Sequence, residues 1–207
     1  MGKSKSDIDR RQRRRRRRIQ VVIIYSAIAV GLAWFFELQA TTTVIFVRHA
    51  EKALLPADNP GLSEPGKRRA AELARQLVDA DVVPGVGVDA VYSTSYRRTE
   101  ETARPVATAL GLPITPYDAS NTETIMDEIV KEHKGKIVLV VGHSNTVPAL
   151  IGNMGASKKV PDINENEYDN IYVVSIPWFG KTKTIRLRYG EPYVPASLPV
   201  SVPAAED

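Results

Sequence analysis

The chain has 207 residues, 43% of them apolar, and a formal net charge of +4. That length suits one domain with appendages, and that apolar content excludes a disordered chain. The absence of cysteine excludes disulfides and thiolate metal sites. The charge is unevenly divided. Residues 1–18 carry ten lysines and arginines against Asp7 and Asp9, a net +8, which leaves −4 for the remainder. The basic character belongs to a tail, so a nucleic-acid-binding body is not expected.

Residues 19–36 contain no charge. As a helix they would reach about 27 Å, close to the hydrocarbon thickness of a bilayer. Trp34 sits near one end, where aromatic rings favour the interface, and Glu37 ends the run. The block Arg13 to Arg18 directly precedes it. By the positive-inside rule residues 1–18 are a cytoplasmic segment and residues 19–36 a transmembrane helix, with the body extracytoplasmic, periplasmic in a Gram-negative cell. Two readings compete. A cleaved signal peptide would end near Leu38-Gln39-Ala40, a poor small-x-small match, and the arginines before Ile19 resemble a twin-arginine signal only in part. A buried helix of a soluble protein is the other.

The body, residues 41–190, alternates strand and helix. Residues 43–47 are apolar and β-branched, a buried strand, and residues 50–63 a loop with Pro56, Asn59, Pro60 and Gly61. Ser63 can cap a helix with Ala70, Leu73, Ala74, Leu77 and Val78 on one face, broken by Pro84, Gly85 and Gly87. A strand over residues 89–93 precedes a helix over Arg97–Leu110, with Gly111 as its stop. A short extended piece at residues 114–117 follows. Ser120 and Glu123 read as a capping box for a helix carrying Ile125, Met126, Ile129 and Val130, on which His133 is expected to be solvated. Residues 137–141 are the strongest strand, Gly142 turns out of it, and Ser144 or Asn145 can cap the helix that follows. Residues 171–176 and 183–188 read as a final antiparallel pair, with Trp178 and Phe179 between them expected in core or edge packing. Residues 191–207, rich in proline, read as an extended or disordered tail. The predicted fold class is therefore three-layer α/β, a mostly parallel sheet with helices on both faces, preceded by one N-terminal transmembrane helix.

Three predicted strands end in polar residues: Arg48-His49, then Ser93 to Arg98, then Gly142 to Asn145. Ligands of an open α/β sheet bind outside the carboxyl ends of its strands, so these clusters should meet. Two histidines with arginines around one point suit a phosphoryl group, because the guanidinium fork matches phosphate oxygens. Nearby arginines disfavour imidazolium and keep a histidine neutral and nucleophilic. Such a nitrogen can attack phosphorus and form a covalent intermediate that water resolves, in a scheme needing neither metal nor cofactor.

Val47-Arg48-His49-Ala50-Glu51 resembles the Arg-His-Gly signature of the histidine phosphatase superfamily, phosphoglycerate-mutase-like branch. Tyr92 to Ala103 resembles that family's second motif, in which an arginine precedes Thr-Ala by three residues, and this selects Arg98 over Arg97. Val141-Gly142-His143-Ser144 resembles its Gly-His-Ser motif. The resemblance covers roughly residues 43–190. It implies that His49 accepts the phosphoryl group and that Arg48, Arg98 and His143 complete a phosphate pocket. Ala50 departs from the usual glycine. The family's acid-bearing glutamate segment has no obvious match; Asp118 falls near its place, with Glu51 and Glu123 as competitors for the proton donor.

The expected activity is that of a membrane-anchored, histidine acid phosphatase-type phosphomonoesterase acting through phosphohistidine at His49. Its expected substrates are phosphorylated small molecules or envelope phosphosugars. A mutase-like phosphotransferase and a non-catalytic phospho-ligand-binding membrane protein are the alternatives.

Overall fold

A computed structural model describes residues 5–39, 41–78, 87–155 and 160–194. Helix α1 (Lys5–Gln39) extends the predicted span in both directions. The arginine block continues it because straight-chain residues lose little rotamer freedom in a helix. Within it, Gln12–Phe36 is long and apolar enough to cross a membrane by length and composition, and none of it is buried against the body.

The body is one six-stranded sheet. Strands β1 (Thr41–Arg48), β2 (Ala90–Thr94), β3 (Ile114–Tyr117) and β4 (Ile137–Gly142) are parallel in the order β3-β2-β4-β1. Strand β5 (Asn170–Pro177) runs antiparallel to β1, and β6 (Lys183–Arg188) closes that edge. Helices α2 (Glu64–Val78) and α3 (Arg97–Leu110) cover one face, α4 (Thr122–Glu132) and α5 (Thr146–Asn153) the other.

Strand periodicity assigns side chains to the two layers. Val44 and Phe46 of β1, with Val138 and Val140 of β4, pack on Ile125 and Ile129 of α4 and Leu150 and Ile151 of α5. Ile45 and Val47, with Leu139 and Val141, face Leu73 of α2 and Ala103 and Val106 of α3. The central strands are thus apolar on both sides, as a doubly covered sheet requires. Each fully buried Val, Leu, Ile or Phe contributes about 1.5–3 kcal/mol relative to exposure.

Several local expectations are corrected. Ser120 does not cap α4. Its N–H and hydroxyl both donate to Asp118 Oδ1, at 2.8 Å each, and Asn121 occupies the cap position without a side-chain bond. Neither Ser144 nor Asn145 caps α5 through its side chain. Thr146 Oγ1 instead accepts the His143 N–H at 2.9 Å, closing the turn by a local side chain–backbone bond. His133 is half-buried rather than solvated, its Nε2 2.9 Å from the Tyr92 hydroxyl. Trp178 and Phe179 are not packed in the core or along an edge: they are 75% and 90% exposed. Ser63 does meet α2 as expected, its Oγ accepting the Gly66 N–H at 3.3 Å. Residues 191–194 are tethered to the body, Glu191 O accepting from Arg69 and Tyr193 N–H donating to Asp169. The expected helix break at Pro84 and Gly85 and the tail beyond residue 194 lie outside the described residues.

Strand β1 begins directly after α1 and rises about 3.3 Å per residue, so Arg48 stands roughly 23 Å from Thr41. The carboxyl ends of the parallel strands are therefore at the far end of the sheet from α1.

Candidate active site

Strand register brings the three polar clusters together. Arg48 pairs with Gly142 across β1 and β4, and the His49 N–H continues the ladder to Gly142 O at 2.9 Å. His143 follows β4 directly, beside Thr94 at the end of β2. The His49 and His143 rings lie 5.4 Å apart, centre to centre. Gly142 is required by close packing: a Cβ there would meet the Tyr117 hydroxyl at 2.9 Å and Thr146 Oγ1 at 3.0 Å.

His49 is 4% exposed. Its Nδ1 is 2.8 Å from Ala50 O, which can only accept, so Nδ1 carries the proton and Nε2 the free lone pair. Among the described residues Nε2 has no hydrogen-bond partner, and it keeps some solvent access, since it is not among the fully buried unpartnered atoms. Burial above all, then Arg48, His143 and Arg98, pushes the His49 imidazole down to about 3, against the opposing bond to Ala50. His143 is pushed down to about 4 by burial, then by Arg98 and Arg48. Both rings are therefore neutral at neutral pH.

The tautomer of His143 follows from its neighbours. Its Nε2 is 3.0 Å from Thr94 Oγ1, which is 2.8 Å from Thr99 Oγ1. Thr99 donates to the backbone carbonyls of Thr94 and Tyr96. With that proton committed, Thr94 must donate to Thr99 and accept from His143. His143 thus carries its proton on Nε2 and presents Nδ1 as the free nitrogen.

Arg48 NH1 donates to Asn164 O at 2.7 Å and Glu167 O at 3.2 Å, and the guanidinium stacks on Tyr168, 4.3 Å from the ring centre. Among the described residues its Nε is buried with no partner. Arg98 stacks on Tyr96 at 4.4 Å and lines, with His143, a cavity of about 720 Å³. Arg97 turns away and pairs with Glu101. The two neighbouring arginines thus have different partners, Glu101 for Arg97 and the Tyr96 ring for Arg98.

Of the three proton-donor candidates, only Asp118 lines this cavity. Its carboxyl is fully exposed, and the backbone and side-chain hydrogen bonds from Ser120 hold it below the usual carboxylate range. Glu51 forms a bidentate pair with Arg69, at 2.8–3.0 Å, and Glu123 is exposed on α4 away from the cavity wall. That pair has a structural role. Arg69 also donates to Tyr189 O and Glu191 O, tying the loop after His49 to the end of the body.

Other contacts were not anticipated from sequence. Thr102 Oγ1 accepts the Ala50 N–H at 2.9 Å and Glu101 accepts the Leu62 N–H, so α3 holds both ends of the loop after His49. Thr94 and Thr99 lay within the second motif and were legible as hydroxyls near a histidine. Tyr168 carried no signal, because the segment around it has no period.

Comparisons with known proteins bear on the fold and on part of the sequence. Residues 44–120 match the family model of the histidine phosphatase superfamily (branch 1). A search of curated proteins returns no match. Among solved structures, the protein histidine phosphatase SixA complexed with tungstate aligns with TM-score 0.57 at 20% identity, covering 70% of this chain and 96% of that one. YhfR of Bacillus stearothermophilus aligns with TM-score 0.52 at 17% identity, over 64% and 90%. The mycobacterial glucosyl-3-phosphoglycerate phosphatase Rv2419c with inorganic phosphate aligns with TM-score 0.54 at 15% identity, over 72% and 97%. At these identities the likeness is one of fold. The match over residues 44–120 and the motif residues gathered at one sheet edge make this part of the chain similar to the histidine phosphatase superfamily, branch 1.

Proposed function

We propose that this protein is a phosphatase hydrolysing phosphomonoesters through a phosphohistidine at His49. The observation that carries the reading is the fixed tautomer of His49: Nδ1–H bound to Ala50 O, Nε2 free, beside Arg48, Arg98 and His143. In this reading the Nε2 lone pair attacks phosphorus and the bond from phosphorus to the leaving oxygen breaks. Arg48 and the Arg98 guanidinium neutralise charge on the equatorial oxygens, and His143 Nδ1 accepts a hydrogen bond from the hydroxyl of a monoanionic phosphoryl group. Water then attacks the phosphohistidine, the P–N bond breaks, and inorganic phosphate leaves.

Asp118 is the cavity-lining carboxyl to which we assign protonation of the leaving oxygen. Because Ser120 favours its ionised form, the assistance it gives at neutral pH is small. Rates should therefore depend steeply on leaving-group pKa, and Asp118→Asn should cost less than about the hundredfold typical of a well-placed acid. The same observation favours a second reading, a phosphoramidate substrate such as a phosphorylated histidine of another protein, whose leaving group needs less proton assistance. SixA, similar in fold, is a protein histidine phosphatase.

We further assign residues 1–18 to the cytoplasm, residues 19–36 to the membrane and residues 41–190 to the catalytic body beyond it. The exposed apolar surface of residues 19–36 supports the span, since an apolar helix that touches the body only at its end needs lipid around the rest. Purified full-length protein should hydrolyse an aryl phosphate, and His49→Ala should abolish the activity. Folded wild-type protein inert toward several phosphomonoesters and phosphoramidates rejects the reading. Full activity in His49→Ala rejects the nucleophile.

A further inference from the structure

At the end of the sheet opposite the candidate site, β1 starts where α1 ends, and β5 finishes beside it: Thr41 pairs with Pro177. The β5–β6 turn then presents Trp178 and Phe179, among the most exposed large apolar side chains in the body. Trp178 lies against the last aromatic residue of the apolar segment, its ring centre 5.5 Å from that of Phe36. Phe35, Phe36, Ile176, Pro177, Trp178 and Val130 line a largely apolar slot of about 360 Å³, with Lys134 among its walls.

The turn is a formed structure. Gly180 takes a φ of 118°, which favours glycine, and Thr182 is buried with its hydroxyl on Met154 O at 2.9 Å. Exposed lysines surround the aromatic pair. Lys181 and Lys183 belong to the turn and the start of β6. Lys134 and Lys136 sit where the chain enters β4, beside β1, since the Thr43 N–H donates to Lys136 O. Glu37, which follows Phe36, Asp89 and Glu132 are acidic residues at this end, and Asp89 already accepts the Ile137 N–H.

Aromatic rings flanked by lysines, level with the end of an apolar helix, have the chemistry of a membrane–water boundary. Rings sit among headgroups there, and lysines meet lipid phosphates. We propose that the Trp178-Phe179 turn is a second membrane contact, seated in the headgroup layer of the bilayer that α1 crosses. This rests on α1 being a membrane span. Continuity with the span through the Phe36–Trp178 contact and the basic rim argue for lipid as the occupant. With this end of the sheet on the membrane, the site roughly 23 Å along β1 opens away from it, toward substrates that arrive through water.

The chain has two tryptophans, Trp34 and Trp178, so Trp34→Phe and Trp178→Phe each leave one reporter. The test uses full-length protein in vesicles of phosphatidylcholine with phosphatidylglycerol, carrying bromine near the headgroup end of the acyl chains. In Trp34→Phe, Trp178 emission should be lost to brominated lipid and protected from aqueous iodide. A tryptophan at position 179 (Phe179→Trp with Trp34→Phe and Trp178→Phe) should behave alike. If Trp34 is quenched by brominated lipid but Trp178 and the position-179 reporter are not, the turn contact is overturned and the span stands. If Trp34 is not quenched either, the span is overturned and the contact with it. Equal loss of Trp178 emission with and without phosphatidylglycerol overturns the role given to the lysines.

Discussion

His49 and His143 stay neutral well below the pH at which a free imidazole takes up a proton, and acidification should expose the cost. Burial and the arginines hold His49 near 3 and His143 near 4, against an ordinary value of 6.5. Between those limits the unfolded chain binds protons that the folded chain refuses, so stability falls as pH falls through 6.5 and goes on falling toward 4 and 3. From about pH 7.5 to about pH 5, each histidine then costs about 2 kcal/mol, or about 4 kcal/mol for the pair, with partial solvent access at His143 lowering its share. Denaturant unfolding of full-length protein in detergent, followed by circular dichroism, measures this at both pH values. The reference is the His49→Asn, His143→Asn double variant, which keeps side chains of similar shape without titration in this range. Wild type should lose about 3 kcal/mol more than the double variant over the interval, once the share of His143 is discounted for solvent access. Equal losses would refute the view that the two rings are held neutral.

Two other substitutions test parts of the architecture. Thr94→Val removes the acceptor that fixes the His143 tautomer and should lower kcat about tenfold, the worth of one hydrogen bond, with little change in KM. Thr94→Ser should restore the rate, and a mere packing defect would not be rescued by serine. Arg69→Ala strips the half-buried Glu51 carboxylate of its partner and two carbonyls of their donor, and should cost about 3 kcal/mol in denaturant unfolding. A loss below about 1 kcal/mol would place the pair among ordinary surface ion pairs.

The layers of the fold were readable because its strands are apolar on both faces and its helices repeat every three to four residues. Val44 to Val47 and Val138 to Val141 could not alternate with polar residues and still be covered on two sides. The site was readable for a related reason: polar residues that follow such strands have one place to go. Side-chain choices among close rivals were less legible. Ser120 was a plausible cap until Asp118, two residues earlier, took both its donors. His133 sits among charged neighbours in sequence, yet tertiary packing brings it to the Tyr92 hydroxyl. Tyr168 reaches Arg48 from a segment without period, and that contact depends on how the loop carrying Asn164 and Glu167 crosses the sheet edge. Trp178 and Phe179 were read as core or edge packing because composition does not say which large apolar residues a fold leaves exposed.

The proposed reaction turns on which nitrogen accepts the phosphoryl group. Full-length protein mixed with an aryl phosphate, quenched in alkali and digested, reports this by peptide mass spectrometry. The peptide containing His49 should gain the mass of one phosphoryl group within the first turnover and lose it as substrate is exhausted, and His143→Asn should still label there. Steady hydrolysis with no label at His49, or label at His143 instead, would contradict it.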